Sequence, residues 1–220
     1  MIFRSAASLL LVCATALSQT HSSLALKSFH DASSGVAYFY PGEFMAVAPA
    51  APAKTEDASP HCVRTSFSAG SGPASGDSAF VFSVIDNACP GVLHDAQQLG
   101  SFTRTQILRQ MKRYGAPVIT HDPVRYTVSG HPAAVTLAAA QTSEPQNTGA
   151  KAKNVEKTTY AAKACILTGP PTTGRQSDPK QVLCFDFTTT REDLLPRLSA
   201  FSVQFDGEPL QSLVPGTILR

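Results

Sequence analysis

"TTYAAKACIL" (158–167) and "VLCFDFTTT" (182–190) are both dense in β-branched and aromatic residues, and "TGPPTTGRQSDPKQ" (168–181) between them is turn chemistry throughout. They read as an antiparallel strand pair. Setting Cys165 opposite Cys184 also sets Lys163 opposite Asp186, Ala164 opposite Phe185 and Ile166 opposite Leu183. One register therefore gives a disulfide and a salt-bridged pair on one face, and apolar pairs on the other. Directly opposed strand residues have Cα atoms roughly 4.5–5.5 Å apart, inside the span a disulfide accepts. Sulfur chemistry and charge pairing select the same alignment.

Cys62 and Cys89 then pair by elimination. "HCVRTSF" (61–67) and "SAFVFSVIDNAC" (78–89) flank "SAGSGPASGDS" (68–78), a second hairpin signature. The loop centre puts Cys62 near Ile85 rather than Cys89, so this bridge requires a bulge or a position beyond the ladder. The rival reading is metal, since His61 precedes Cys62 and His94, His121 and His131 are present. No Cys-x-x-Cys or His-x-x-x-His spacing accompanies them, and structural zinc sites usually show one. No metal and no cofactor is expected.

Paired cysteines imply an oxidising compartment, and the amino terminus agrees. Arg4 is the only charge before Lys27, and "AASLLLVCATAL" (6–17) follows it as an apolar run. That pattern predicts a signal peptide over 1–25, cleaved after Ser18 or Ala25. The run is too short to span a bilayer, which takes about 20 apolar residues, and no later stretch predicts a transmembrane segment. A lipid anchor at Cys13 is disfavoured because Val12 is bulkier than the residues that usually precede such a cysteine. The mature chain is expected to be exported, periplasmic or extracellular. It is long enough for one domain with a real core, placed at 26–206, with 207–220 as a loosely ordered tail. The chain carries 18 basic and 16 acidic residues for a formal charge of +2, which is no electrostatic footprint for nucleic acid.

"HDAQQLGSFTRTQILRQMKRYGAP" (94–117) predicts the one long helix. Asp95 with Gln98 resembles a capping box, and Gly115 and Pro117 supply the stop. Leu99, Thr103, Ile107, Met111 and Tyr114 share one face at spacings of three and four. Arg109, Lys112 and Arg113 cluster on the other. That cluster is either a solvated face near a helix C-terminus, which favours cations, or a docking face for an acidic partner or anionic surface.

Around the helix, "SSGVAYFYPGEF" (33–44) predicts a turn and a short strand, and "AVAPAAPAKTEDASP" (46–60) a surface loop. "DPVRYTVSGHPAAVTLAAAQ" (122–141) reads as two strands about Gly130, and "TSEPQNTGAKAKNVEK" (142–157) as a polar hairpin loop. "REDLLPRLSAF" (191–201) predicts a short helix with Asp193 as N-cap, followed by a last strand in "FSVQF" (201–205). Helices segregated from hairpins argue for an α+β fold. The expectation is an antiparallel sheet of about six to seven strands, with the long helix and the short C-terminal helix packed on it.

Four stretches, "GVAYFYP" (35–41), the long helix, "VSGHPAA" (128–134) and "LSAFSVQF" (198–205), give a chain that resembles the PsbP/DcrB-like group of exported α+β domains over most of 33–206. The resemblance implies an antiparallel sheet with helices packed on it, and an accessory or binding module. The best-known member type helps hold inorganic cofactors of photosystem II. No functional residue of that type has a counterpart here, so no site is carried across. The two disulfides depart from the group's commoner cysteine-poor pattern.

The motifs of familiar enzymes are absent from the sequence. There is no Gly-x-Ser-x-Gly elbow, no His-Glu-x-x-His and no phosphate-binding glycine loop. Disulfide-bonded cysteines cannot act as thiolate nucleophiles. Neighbours such as His94-Asp95 and His121-Asp122 diverge on a strand or helix, which suits capping and turn roles. His131 suits a turn. The reading that results is a non-catalytic exported module for an unknown protein or small ligand, using a sheet face or loop. Tyr38, Phe39 and Tyr40 are a candidate aromatic edge, two of them expected in the core. A structural envelope-associated protein and an enzyme with a dispersed site are the alternatives.

Overall fold

The computed structural model describes residues 25–32, 34–46, 62–70, 77–148, 151–169 and 180–219. The expected signal peptide and most of the expected loop at 46–60 lie outside them.

β8 (Lys151–Thr168) and β9 (Gln181–Thr189) pair antiparallel with Cys165 opposite Cys184 and Lys163 opposite Asp186. The two cysteines are bonded with Cα atoms 4.2 Å apart. The Lys163 ammonium donates to both Asp186 carboxylate oxygens, at 2.6 and 2.8 Å. On the opposite face Ala164, Ile166, Leu183 and Phe185 enter the core. The alternation of side chains about the strand produces both faces from one register.

The second bridge forms between β4 (Val63–Gly70) and β5 (Ser78–Asp86). Cys89 lies beyond the ladder, where the Asp86 N–H donates to the Cys62 carbonyl, and a bulge shifts the register between Thr65 and Phe67. The loop centre required one of these two devices, and both are present.

β6 (Ala116–Val128) and β7 (His131–Thr148) reverse at Ser129 and Gly130, with φ of +49° and +77°. Two positive φ values match the tight turns that suit strand twist. With β3 (Met45–Ala46) at the far edge, the order is β3-β4-β5-β9-β8-β7-β6 in one antiparallel sheet of seven strands. A second sheet of four strands combines β1 (Leu26–Asp31), β2 (Val36–Pro41), β10 (Ser202–Phe205) and β11 (Gln211–Ser212). The single expected sheet is thus two. β2 pairs with strands from both ends of the chain, and no local periodicity announces such a non-local contact.

The sheets enclose an aromatic core in which Phe80, Phe82, Phe185 and Phe187 meet Tyr38, Phe44 and Phe201. Tyr38 stacks on Phe82 with centroids 4.0 Å apart. Arg64 and Asp31 tie the sheets together at 2.9 Å. On the other face of the large sheet lies α1 (Ala96–Met111), which buries Leu99, Gly100, Thr103, Ile107 and Met111. Asp95 caps it, accepting from the N–H groups of Gln97 and Gln98. Gln98 reaches back to the His94 N–H, one residue beyond the usual capping-box donor.

Three further expectations are corrected. Residues 142–157 continue as strand, paired from Thr142–Lys157 to Thr148–Lys151, so the polar stretch is a ribbon rather than a loop. Beyond Gln141 and Tyr160 it has no described neighbour strand, and the polar sequence carries no apolar alternation to announce it. Residues 192–200 form a 3-10 segment (Glu192–Ala200) led by Arg191, not an α-helix capped by Asp193. Pro196 sits inside it, where it removes a backbone donor, and Asp193 pairs with Arg191 instead. The carboxyl-terminal residues are not loosely held, for Leu213, Val214 and Ile218 are buried and the Tyr126 hydroxyl donates to the Leu213 carbonyl.

Candidate functional site

α1 ends in a 3-10 turn, Lys112–Tyr114, followed by Gly115 at φ +121°. A Cβ added at Gly115 would stand 2.1 Å from the Gln141 carbonyl oxygen. The helix end is therefore pressed against β7 where the ribbon begins. A Gly115→Ala variant is expected to lose about 2 kcal/mol, from the strained φ and the displaced backbone together. Its midpoint in denaturant checks this, and an unchanged midpoint would show that the junction yields freely.

This close seating places the helix end beside β8. Arg109, Lys112 and Arg113 are all exposed, as the amphipathic pattern expected. Arg113 lies over the Tyr114 ring, 4.7 Å from its centroid, a cation–π geometry. With Lys157 it lines a cleft of about 230 Å³ whose walls also include Asp77, Thr142, Thr159, Thr188 and Thr190. Among the described residues, none of Arg109, Lys112, Arg113 and Lys157 forms an ion pair with a carboxylate. Elsewhere Arg104 pairs with Asp122 and Lys163 with Asp186, both within 2.9 Å.

The threonines come from the strand pair that sets the fold. Tyr160 stands opposite Thr189, so Thr159 and the run Thr188–Thr190 meet at the same end of the sheet. Alternation sends Thr189 to the other side, where its hydroxyl meets Ser78 at 2.6 Å, and Thr159 and Thr188 to the helix side. Ala138, Ala140 and Ala161 lie under the helix end with Ile107 and Met111. These small side chains let the helix sit low, and Thr159 is only 6 % exposed.

Other titratable groups have structural employment. Lys163 is 8 % exposed and Asp186 16 %, a mutually satisfied pair in the sheet. Beside it Thr136 shares a 2.8 Å hydrogen bond with Thr103 of the helix. Asp95 caps α1, and Asp122 holds Arg104. His131 packs on Phe205 with ring centroids 4.7 Å apart, and burial lowers its pKa against the opposing charge of Glu208. Tyr38 and Tyr40 are buried and Phe39 is half-buried, so the aromatic edge is mainly core. Burial, and then the nearby Asp31 charge, push the Tyr38 hydroxyl well above its usual range. Among the described residues no group of three or more His, Cys, Asp or Glu side chains is placed to hold a metal. No helix among them is long and apolar enough to cross a membrane.

The sequence pointed to the helix cations but not to Lys157, Asp77 or the threonines. Their only signal is the register itself, which brings "TTY" (158–160) level with "TTT" (188–190).

No family model matches the chain, and no curated protein does. Solved structures do. The solution structure of cyanobacterial PsbP from Synechocystis aligns over 82% of this chain and 94% of its own, at 16% identity and a TM-score of 0.44. The Ran-binding protein Mog1p of Saccharomyces cerevisiae aligns over 76% and 78%, at 10% identity and 0.41. LpqN of Mycobacterium tuberculosis, described as involved in cell envelope biogenesis, aligns over 80% and 84%, at 12% identity and 0.40. What this chain shares with PsbP is a weak likeness at the level of the fold.

Proposed function

We propose that the protein is an exported, non-catalytic accessory module that docks an acidic partner protein on the end of α1. The observation that carries this reading is the concentration of Arg109, Lys112, Arg113 and Lys157, all without a carboxylate partner among the described residues, in a chain whose formal charge is only +2. Unpaired cations at one end of a nearly neutral molecule steer and orient an acidic surface. The two disulfides support residence in an oxidising compartment. The cleft presents hydroxyls, two cations and one carboxylate without a histidine, which suits holding a group better than transferring protons.

The test is affinity capture with the oxidised mature protein as bait, run beside an Arg109→Glu/Lys112→Glu variant of unchanged melting temperature. An acidic protein recovered by the wild type, released by salt and lost from the variant is the expected result. Equal recovery by both baits, or recovery of nothing by either, contradicts the proposal.

A further inference from the structure

We infer that the cleft between Arg113 and Lys157 is a binding site for a phosphomonoester group carried on a small polyol. This rests on the reading of the helix end as a binding face, and gives that face a ligand of its own. Cleft, charge and hydroxyl chemistry agree on it.

Arg113 and Lys157 both line the cleft, one from the helix end and one from β8. The Arg113 guanidinium lies 4.7 Å from the Tyr114 ring centroid, and the N–H edge of a guanidinium suits an oxyanion with several acceptor oxygens. Lys157 adds a mobile point charge. Between them Thr142, Thr159, Thr188 and Thr190 line the cleft.

Thr159 adds a hydroxyl to the charges. It is 6 % exposed, makes no hydrogen bond with any described residue and borders the cleft, whereas the hydroxyls of Thr103, Thr136 and Thr189 nearby are taken up by other side chains. Its hydroxyl is therefore free to bond a group held there.

Asp77 selects among anions. A bare phosphate gains nothing from a carboxylate in the same cleft. A ligand with both an anionic end and a hydroxyl can give its oxyanion to Arg113 and Lys157 and donate its hydroxyl to Asp77. A cleft of about 230 Å³ has room for such a head of a few heavy atoms and falls short of the drug-sized pockets of roughly 300–1,000 Å³. Glycerol 3-phosphate has this chemistry, whether as a free solute or as the head of a lysophospholipid whose glycerol keeps one hydroxyl.

Titration of the oxidised mature protein with glycerol 3-phosphate, followed by calorimetry and by threonine methyl resonances, tests the site. Saturable binding is expected, weaker for inorganic phosphate and absent for glycerol. Arg113→Ala is expected to weaken it roughly 10-fold or more, the loss of a charged hydrogen bond. Thr159→Val, which keeps the shape and removes the hydroxyl, is expected to weaken it several-fold with an unchanged melting temperature. Arg104→Ala, on the helix but outside the cleft, is expected to leave affinity unaltered. Sedimentation with vesicles containing lysophosphatidic acid, which keeps one glycerol hydroxyl beside its phosphomonoester, separates the sources, since vesicle binding sensitive to Lys157→Ala assigns a lipid head and binding of the soluble ester alone assigns a free solute. No saturable binding of either probe, or equal affinity in Arg113→Ala and Thr159→Val, would overturn the site. An Arg109→Glu/Lys112→Glu variant that loses the acidic partner but still binds the ester separates this result from that of the docking proposal.

Discussion

A Lys163→Met variant is expected to lose about 3 kcal/mol of stability, because it strands the Asp186 carboxylate in the sheet without its counter-ion. For a domain of this size that lowers the melting temperature by roughly 6–12 °C. The pair is 8 % and 16 % exposed and makes two short charged hydrogen bonds, so solvent screens it little. The cost falls on whichever charge is left alone, not on the absence of the pair. Adding Asp186→Leu to Lys163→Met is therefore expected to restore most of the loss, since a buried pair exchanged for apolar groups is often close to neutral. Thermal melts of the single and double variants read both. A single variant that melts with the wild type would mean that water reaches Asp186 and that the pair contributes little.

Removing the neighbouring bridge is expected to have an effect of similar size. Cys165→Ala with Cys184→Ala releases a closure spanning 19 residues, worth about 3 kcal/mol in the loop-entropy account. Because both sulfur atoms are buried beneath Leu99 and beside Leu167 and Val182, the variant also loses packing there. Its melting temperature is expected to fall by at least roughly 6 °C, while the antiparallel register survives through the Lys163–Asp186 pair. Oxidised wild type and the double alanine variant melting together would contradict this, and would place the restraint in the strands alone.

Where two kinds of constraint met on one segment, the fold was legible. The β8–β9 register follows from sulfur and charge together, and α1 from a capping residue, an apolar stripe and a glycine stop. Residues 142–157 were not legible as strand, because their polar sequence lacks the apolar alternation that betrays a half-buried one. The small sheet escaped for a different reason: "VAYFYP" is visibly a strand, but its partner "SVQF" lies at the far end of the chain. Leu213, Val214 and Ile218 are too sparse among polar neighbours to signal a docked tail, and it is long-range contacts, the β10–β11 pairing and the Tyr126 hydroxyl among them, that show where they go. Of the candidate site, the helix cations stood out by spacing. Lys157, Asp77 and the threonines come together from separate strands, so nothing local marks them as one cleft.

The cleft and the strand register are linked. The alignment that sets Cys165 on Cys184 also brings Thr159 to the level of Thr188 and Thr190, and a slip by one residue would turn every one of these side chains to the opposite face. The decisive measurement is therefore a disulfide map of the oxidised mature protein by mass spectrometry of unreduced peptides. One linked pair carrying Cys165 and Cys184 and another carrying Cys62 and Cys89 are expected. A peptide joining Cys62 or Cys89 to either strand cysteine, or free thiols at 165 and 184, would contradict that register.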